Sequence, residues 1–381
     1  MKRKIVYITG TRADYGLMRS VLQRIHHHPN LSLEILVTGM HLMDEFGTTI
    51  SEIKSDGFPY TIIEVIPAND DKVSMAQFIG EFIEKLSSWI KTHRQDIILV
   101  LGDRGEMLGG AIVGSYLGIP VAHIHGGEIT STIDDITRHA ITKFSHIHFP
   151  STDESGQRII RMGENPSHVY VVGAPGPEQI LSKEIIPSEK IKKKYNLDSN
   201  QPFLLVVQHP VTLECDDAVW QMKETLNAIV DLNIPAIIIY PNADAGGRQM
   251  IGIIKEYSHL PQIQAFKSIP YKEYISLLHH ASALVGNSSS GIIEAPSLGT
   301  PAINIGSRQT GRQRGMNVID VDYNKDEIII AIQKAMNDQN FLAQVKQCYN
   351  PYANYNCSQK ITDVLSSINL DNSLIQKRLT Y

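Results

Sequence analysis

LVLGDRGEMLGGAIVGSYLGIPVAHIHGGEITSTIDDITRH, residues 99–139, places two apolar runs a helix length apart and loads the end of each with ionisable groups. Residues 97–101 and 121–124 are short bounded apolar runs, the pattern of buried strands in a parallel sheet, and the stretch between them is long enough for one crossover helix. Ligands of an open parallel sheet bind beyond the carboxyl ends of its strands. Here those ends read Gly102-Asp103-Arg104 and His125-Gly126-Gly127-Glu128. Asp134, Asp135, Arg138 and His139 follow in one loop and the opening of the next helix. A purely structural account, in which the two aspartates cap that helix and Arg138 pairs with them on its surface, leaves Asp103 and His125 unexplained.

Outward from this stretch, strand-like runs at 4–9, 33–38, 147–149 and 169–172 alternate with amphipathic helical segments. The alternation predicts a doubly wound parallel sheet. It begins again with runs at 203–207, 236–240, 263–266, 283–285, 302–305 and 318–321. The fold class expected is therefore α/β, with two Rossmann-like domains facing each other across a cleft. The proline and glycine of residues 173–177, followed by a charged helix at 188–195, mark a hinge. The division expected is 1–180 for the first domain, 181–357 for the second, and 358–381 for a helix and tail that packs back on the first.

A chain of 381 residues is long for one hydrophobic core. Its 35 lysines and arginines against 40 aspartates and glutamates give a net charge of −5, which argues against a nucleic-acid partner. The basic run at 190–194 is a local helix start with acidic neighbours. No apolar run reaches membrane-spanning length, and the opening residues enter a strand instead of a signal-peptide core, so a cytoplasmic protein with no membrane partner is expected. Cys215, Cys348 and Cys357 are too scattered for a disulfide framework or a metal site and read as ordinary thiols.

The second half carries a candidate anion site. Residues 284–295, LVGNSSSGIIEA, run from a strand through a small-residue turn into a helix. Backbone amides and the Ser288 and Ser289 hydroxyls at that helix start suit a diphosphate, and Glu294 one turn later suits a ribose hydroxyl. Simple capping of the helix by Ser288 or Ser289 is the competing reading. Arg308 and Arg312, after the next strand, are placed to clamp phosphate oxygens. Arg12, in the first strand-to-helix turn, GTRADYG (10–16), faces the same cleft from the other domain. That turn is not GxGxxG, which disfavours a nicotinamide or flavin cofactor. His209 in QHPV and Asn242 in YPNADAG end the first two strands of the second domain on the cleft wall, and residues 266–271 offer backbone groups for a flat base.

Taken in order, TRADYG, TGMH, GDR, HGGE, DDxxRHxIxK, QHPVT, YPNxDAG, GNSSxGxxEA and GTP followed by GxRQxGR resemble the hydrolysing UDP-N-acetylglucosamine 2-epimerases of sialic-acid and related nonulosonate biosynthesis, over residues 4–320. The resemblance implies a glycosyltransferase-B-type fold, a homodimer or homotetramer, and neither cofactor nor metal. It implies that UDP leaves C1 of a UDP-2-acetamido sugar as the C2 proton is lost, and that water adds to the resulting glycal to give a free manno-configured sugar. UDP-N-acetylglucosamine yielding N-acetylmannosamine is the expected substrate. UDP-N,N'-diacetylbacillosamine, on the legionaminic-acid route, is the alternative, followed by a non-hydrolysing epimerase and an acceptor-dependent glycosyltransferase. The family's proton-transfer aspartates correspond to Asp103 and Asp134. The HIEGGE of many members reads HIHGGE here, so His125 stands at the family's first glutamate, with Glu128 as the other candidate for its work. The expected catalytic group is Asp103, His125, Glu128 and Asp134 with His209 assisting; Arg12, Arg104, Arg138, Asn242, Ser288, Ser289, Glu294 and Arg308 are expected to bind substrate.

Overall fold

The computed structural model describes residues 2–182, 185–354 and 356–380. Strands β1 (Arg3–Thr9), β2 (Leu31–Val37), β3 (Tyr60–Ile62), β4 (Ile97–Leu101), β5 (Val121–Ile124) and β6 (Ile147–Phe149) form one parallel sheet in the order β3-β2-β1-β4-β5-β6. A second parallel sheet has the order β12-β11-β10-β7-β8-β9. Its strands are β7 (Leu204–Val207), β8 (Ala236–Ile239), β9 (Ile263–Phe266), β10 (Ala283–Gly286), β11 (Ala302–Ile305) and β12 (Val318–Val321). Helices cover both faces, which is why β4, β7 and β10 are apolar and buried throughout and β5 is fully buried with His123 as its one polar residue.

Both sheets reverse winding direction once, between β1 and β4 in the first and between β7 and β10 in the second. At such a reversal the connections leave in opposite directions and open a crevice at the strand ends. The turns that open these crevices are built for close approach. A Cβ on Gly10, after β1, would sit 1.9 Å from the Glu106 carboxylate, and one on Gly286, whose φ is +128°, would sit 2.2 Å from the Val207 carbonyl.

Two expectations need correction. The run at 169–172 is not a sheet strand. It lies beside β6 and donates from Tyr170 N to His148 O (2.9 Å) and from Val172 N to Pro150 O (3.1 Å), but Pro150 has no N–H to return, and only the His148–Val169 bridge forms. The sixth strand is instead β3, a three-residue edge strand with two exposed side chains and hence no apolar run to read.

The helix Cys357–Ser367 buries Cys357, Ile361 and Leu365 in the same core as β1 and the helix Arg12–His27. Side chains also bridge the cleft itself. Asp70 accepts from Gly246 N (3.1 Å) and Arg248 N (3.0 Å) at the start of the helix Gly247–Tyr257, and Arg248 pairs with Glu45 at 2.7 Å. No helix among the described residues is long and apolar enough to cross a membrane.

Candidate active site

The carboxyl ends of the two sheets enclose a cavity of about 230 Å³. Arg12, Asp103, Arg104, His125, Asp134 and Arg138 line it from the first sheet, and His209, Asn242, Ser288, Ser289, Glu294 and Arg308 from the second. Glu128 is the exception among the expected site residues. It is buried behind His125, off the cavity wall, with its carboxylate bonded to the Arg312 guanidinium and accepting from Ser151 Oγ at 3.1 Å.

His125 follows β5 in the left-handed backbone region, φ +62°, a conformation that costs a non-glycine residue roughly 1–2 kcal/mol. The strain turns its ring so that Nδ1 lies 3.4 Å from Glu128 Oε1 while Nε2, buried in the cavity wall, has no partner. A proton on Nδ1, the nitrogen nearer the carboxylate, leaves Nε2 with its lone pair. Burial, reinforced by Arg312 and Arg138 against the pull of Glu128, lowers the imidazole to about 4, so the ring is neutral at pH 7. Its backbone is fixed as well: His125 N donates to Phe149 O at 3.1 Å, and Arg138 Nη1 donates to His125 O at 2.9 Å.

Arg138 also bonds Asp103, so its two terminal nitrogens are engaged by the protein and it organises the wall more than it reaches for a ligand. Asp134, in the first turn of the helix Ile133–Phe144, is capped into place by Thr132 and stands 3.5 Å from Arg308 of the opposite wall. Burial and the charge of Asp103 raise Asp134 to about 6, with Arg308 opposing. Asp135 points elsewhere, accepting from Thr130 N at 2.8 Å.

On the opposite wall His209 accepts Asn242 N at Nδ1 (3.1 Å), which fixes the tautomer with its proton on Nε2. Burial, with Arg308, Arg104 and Arg12 adding to it, pushes this imidazole well below its ordinary pKa. His209 is therefore a neutral N–H donor, suited to bonding an anionic oxygen and unsuited to proton abstraction. The helix expected after Ser289 is two separate turns, Ser290–Ile293 and Ala295–Leu298, because Pro296 has no N–H for Ile292 O. One turn carries little dipole, so anion recognition there rests on hydroxyls, free amides and Arg308.

Arg312, expected to clamp phosphate, lines the cavity and has its terminal nitrogens on Glu128 and on Gln309 Oε1 (3.0 Å). Arg12 lies over the Tyr274 ring, 5.3 Å from its centroid, and Arg104 is held by Glu106 (2.7 Å) with Asp244 at 3.9 Å. Tyr274, Glu106 and Asp244 thus set the site's cations, and sequence reading singled out none of them. Only Glu106, two residues from Arg104, left a local signal.

Glu294 sits at the junction of the two turns with Oε1 buried and unpartnered, and burial raises it to about 7. A carboxylate accepting ligand hydroxyls must be ionised. Affinity for UDP-glucose, whose diphosphate diester does not titrate near neutrality, is therefore expected to weaken up to tenfold per unit as pH falls below about 7. Calorimetry across pH on the wild type and on Glu294→Gln checks this, since the variant profile is expected to be flat.

Comparison with known proteins agrees with the geometry. The family description UDP-N-acetylglucosamine 2-epimerase matches residues 23–366. The chain is 40% identical over 382 residues, covering all of both proteins, to the UDP-N,N'-diacetylbacillosamine 2-epimerase (hydrolyzing) of Legionella pneumophila. It is 34% identical to the UDP-N-acetylglucosamine 2-epimerase of Neisseria meningitidis serogroup B, over 99% of this chain and 98% of that one. A crystal structure of UDP-GlcNAc 2-epimerase from Neisseria meningitidis bound to UDP-GlcNAc superposes with a TM-score of 0.78 at 18% identity, over 95% of this chain and 99% of that one, so the two-domain glycosyltransferase-B-type fold is shared. With a family match across most of its length and relatives of this identity along all of it, the chain belongs to the UDP-N-acetylglucosamine 2-epimerase family.

Proposed function

We propose that this protein is a hydrolysing 2-epimerase that acts on UDP-N,N'-diacetylbacillosamine, releasing UDP and free 2,4-diacetamido-2,4,6-trideoxymannose. The observation that carries the chemistry is the neutral His125 with an unpartnered Nε2, beside Asp103 and Asp134 and across the cavity from Arg308. Arg308, His209 Nε2–H and the Ser288 and Ser289 hydroxyls bind the diphosphate and stabilise the charge that develops as the C1–O bond breaks. The C2 proton goes to His125 Nε2, and the C2–H electron pair closes the C1–C2 double bond of the glycal. A base of low pKa suffices because the ring carbon is electron-poor once UDP is departing. Asp134, which titrates near neutrality, then returns a proton to C2 on the face that gives the manno configuration; water adds its hydroxyl at C1 and its second proton passes to the Asp134 carboxylate, while the His125 imidazolium gives up the C2 proton to solvent. Asp103 holds Asp134's proton in place by its charge. Glu128, away from the cavity, is a positioning residue that fixes the His125 tautomer and stabilises the imidazolium.

The substrate assignment rests on the full-length 40% identity to the Legionella enzyme. The 34% identity to the Neisseria enzyme favours UDP-N-acetylglucosamine as the second reading. NMR in deuterated water, with each sugar in turn and no acceptor, tests both. UDP release with deuterium at C2 of a free manno sugar, faster for the diacetamido substrate, is expected. Faster turnover of UDP-N-acetylglucosamine moves the assignment to the second reading. Deuterium exchange with UDP still attached marks a non-hydrolysing enzyme, and no reaction with either sugar favours an acceptor-dependent transferase.

A further inference from the structure

The helix Ile133–Phe144 carries Asp134 and Arg138 on its first two turns and packs along the helix Gly105–Tyr116, whose Ser115 hydroxyl donates to Phe144 O at 2.7 Å. Its buried residues are Arg138, Ile141 and Thr142, of which only Ile141 is apolar. A 12-residue helix spans about 18 Å, so a small tilt at one end displaces the side chains at the other. Its far end is gripped by a segment more than two hundred residues away in sequence. The Lys377 ammonium donates to Thr142 O (3.2 Å), which also accepts Ser145 N (3.1 Å), and to Lys143 O (2.7 Å) and Ser145 O (2.6 Å), all at the C-terminal end of the helix. It also pairs with buried Glu164 at 2.6 Å.

The segment that brings Lys377 there is itself anchored. Leu374 is buried in the first-sheet core, and His146, which accepts Val121 N at Nδ1 (3.1 Å), lines one pocket with Leu374 and Lys377. Thr380 donates from N to Gly163 O (3.2 Å) and from Oγ1 to Glu164 O (3.1 Å). From the gripped end, the Thr142 hydroxyl lies 3.3 Å from His123 Nδ1, and His123 Nε2 donates to Gly102 O at 2.7 Å, the residue before Asp103.

We propose that residues 371–380 form a latch on the catalytic helix, in which Lys377 is a positioning residue that holds Asp134 and Arg138 at the cleft by capping the helix's opposite end. The inference builds on the proposed function, and its test separates the two. Lys377→Met is informative because Glu164 keeps Lys143 (2.6 Å) and His148 (3.2 Å), so no bare buried carboxylate results. In the variant kcat per UDP-binding site is expected to fall about tenfold, with UDP affinity within twofold of wild type, because the UDP groups lie on the other wall. Lys377→Arg, which retains donors and charge, is expected to recover most of the loss. Amide hydrogen exchange of residues 133–144 in the free protein is expected to quicken in Lys377→Met, including the turn that carries Asp134.

Unchanged kcat per site, or unchanged exchange in the first two turns, overturns the latch even if the melting temperature drops. If the wild type turns over neither sugar, the proposed reaction has failed and the exchange measurement still decides the latch. Should Lys377→Met yield no UDP-binding protein, Thr380→Val loosens the same segment from its exposed end. A smaller kcat loss at unchanged UDP affinity supports the latch there, and no loss overturns it.

Discussion

Asp134→Asn is expected to lower kcat by roughly 10²–10⁴-fold while UDP binds as tightly as to the wild type or slightly more tightly. The substitution keeps the side-chain shape and removes both the transferable proton and the negative charge. Since Asp134 stands 3.5 Å from Arg308, its loss as an anion frees that guanidinium for the diphosphate, which is why affinity is not expected to fall. The pH profile carries the sign. As the acid, Asp134 must hold its proton, so kcat/KM declines above about pH 6, and as the base His125 must be neutral, so kcat at saturation rises through about pH 4, while kcat/KM also carries the affinity lost as Glu294 protonates below about 7. Bound diphosphate adds negative charge near Asp134 and draws Arg308 away, so the descending limb of kcat lies at higher pH than that of kcat/KM. Asp103→Asn is expected to lose a comparable factor, because it removes the charge that raises Asp134 and the partner that holds Arg138. Steady-state kinetics across pH and UDP titration check these outcomes. Near-wild-type turnover in both variants would end the assignment.

Sequence made the walls of this site legible because a parallel sheet puts chemistry where its apolar runs stop. Gly102-Asp103-Arg104, His125 and His209 each follow such a run, and each reaches the cavity. The same logic failed for β3, where an edge strand buries too little to need an apolar pattern, and for residues 169–172, where Pro150 denies the ladder its return bonds. It also could not assign direction to side chains beyond the strand ends. Glu128 and Arg312 both read as groups that face a ligand, yet they face each other across 184 residues of sequence. Arg308 and Arg312 share one short motif and both line the cavity, but the path of the turn sets Arg308 opposite Asp134 and ties the terminal nitrogens of Arg312 to Glu128 and Gln309. Lys377 carries no local signal at all, since what it caps is a helix end formed far upstream.

The largest stability effect is expected from Arg312→Met, and it separates the fold's interest in the Arg312–Glu128 pair from the reaction's. Burial works against the Glu128 charge, but Arg312, His125 and Arg138 outweigh it and hold the carboxyl at about 2. A folded-state pKa below the unfolded value contributes stability that is full above about pH 4.3 and is lost as pH falls through about 2. Removing Arg312 alone strands this buried anion and is expected to cost about 3–5 kcal/mol in denaturant unfolding. Glu128→Gln alone removes the charge and leaves Arg312 without its counterion, a further destabilised state. It also takes away the anion that stabilises protonated His125, so kcat is expected to fall roughly 10²–10⁴-fold. In the double variant Glu128→Gln/Arg312→Met both charges are gone together. Most of the lost stability is expected to return, because a buried pair exchanged for neutral groups of similar volume is close to neutral. Turnover is not expected to return with it, since His125 still lacks its anion. If the double variant regained activity along with stability, Glu128 would be a structural partner of Arg312 alone, and the tautomer of His125 would be set by something other than the 3.4 Å contact to its carboxylate.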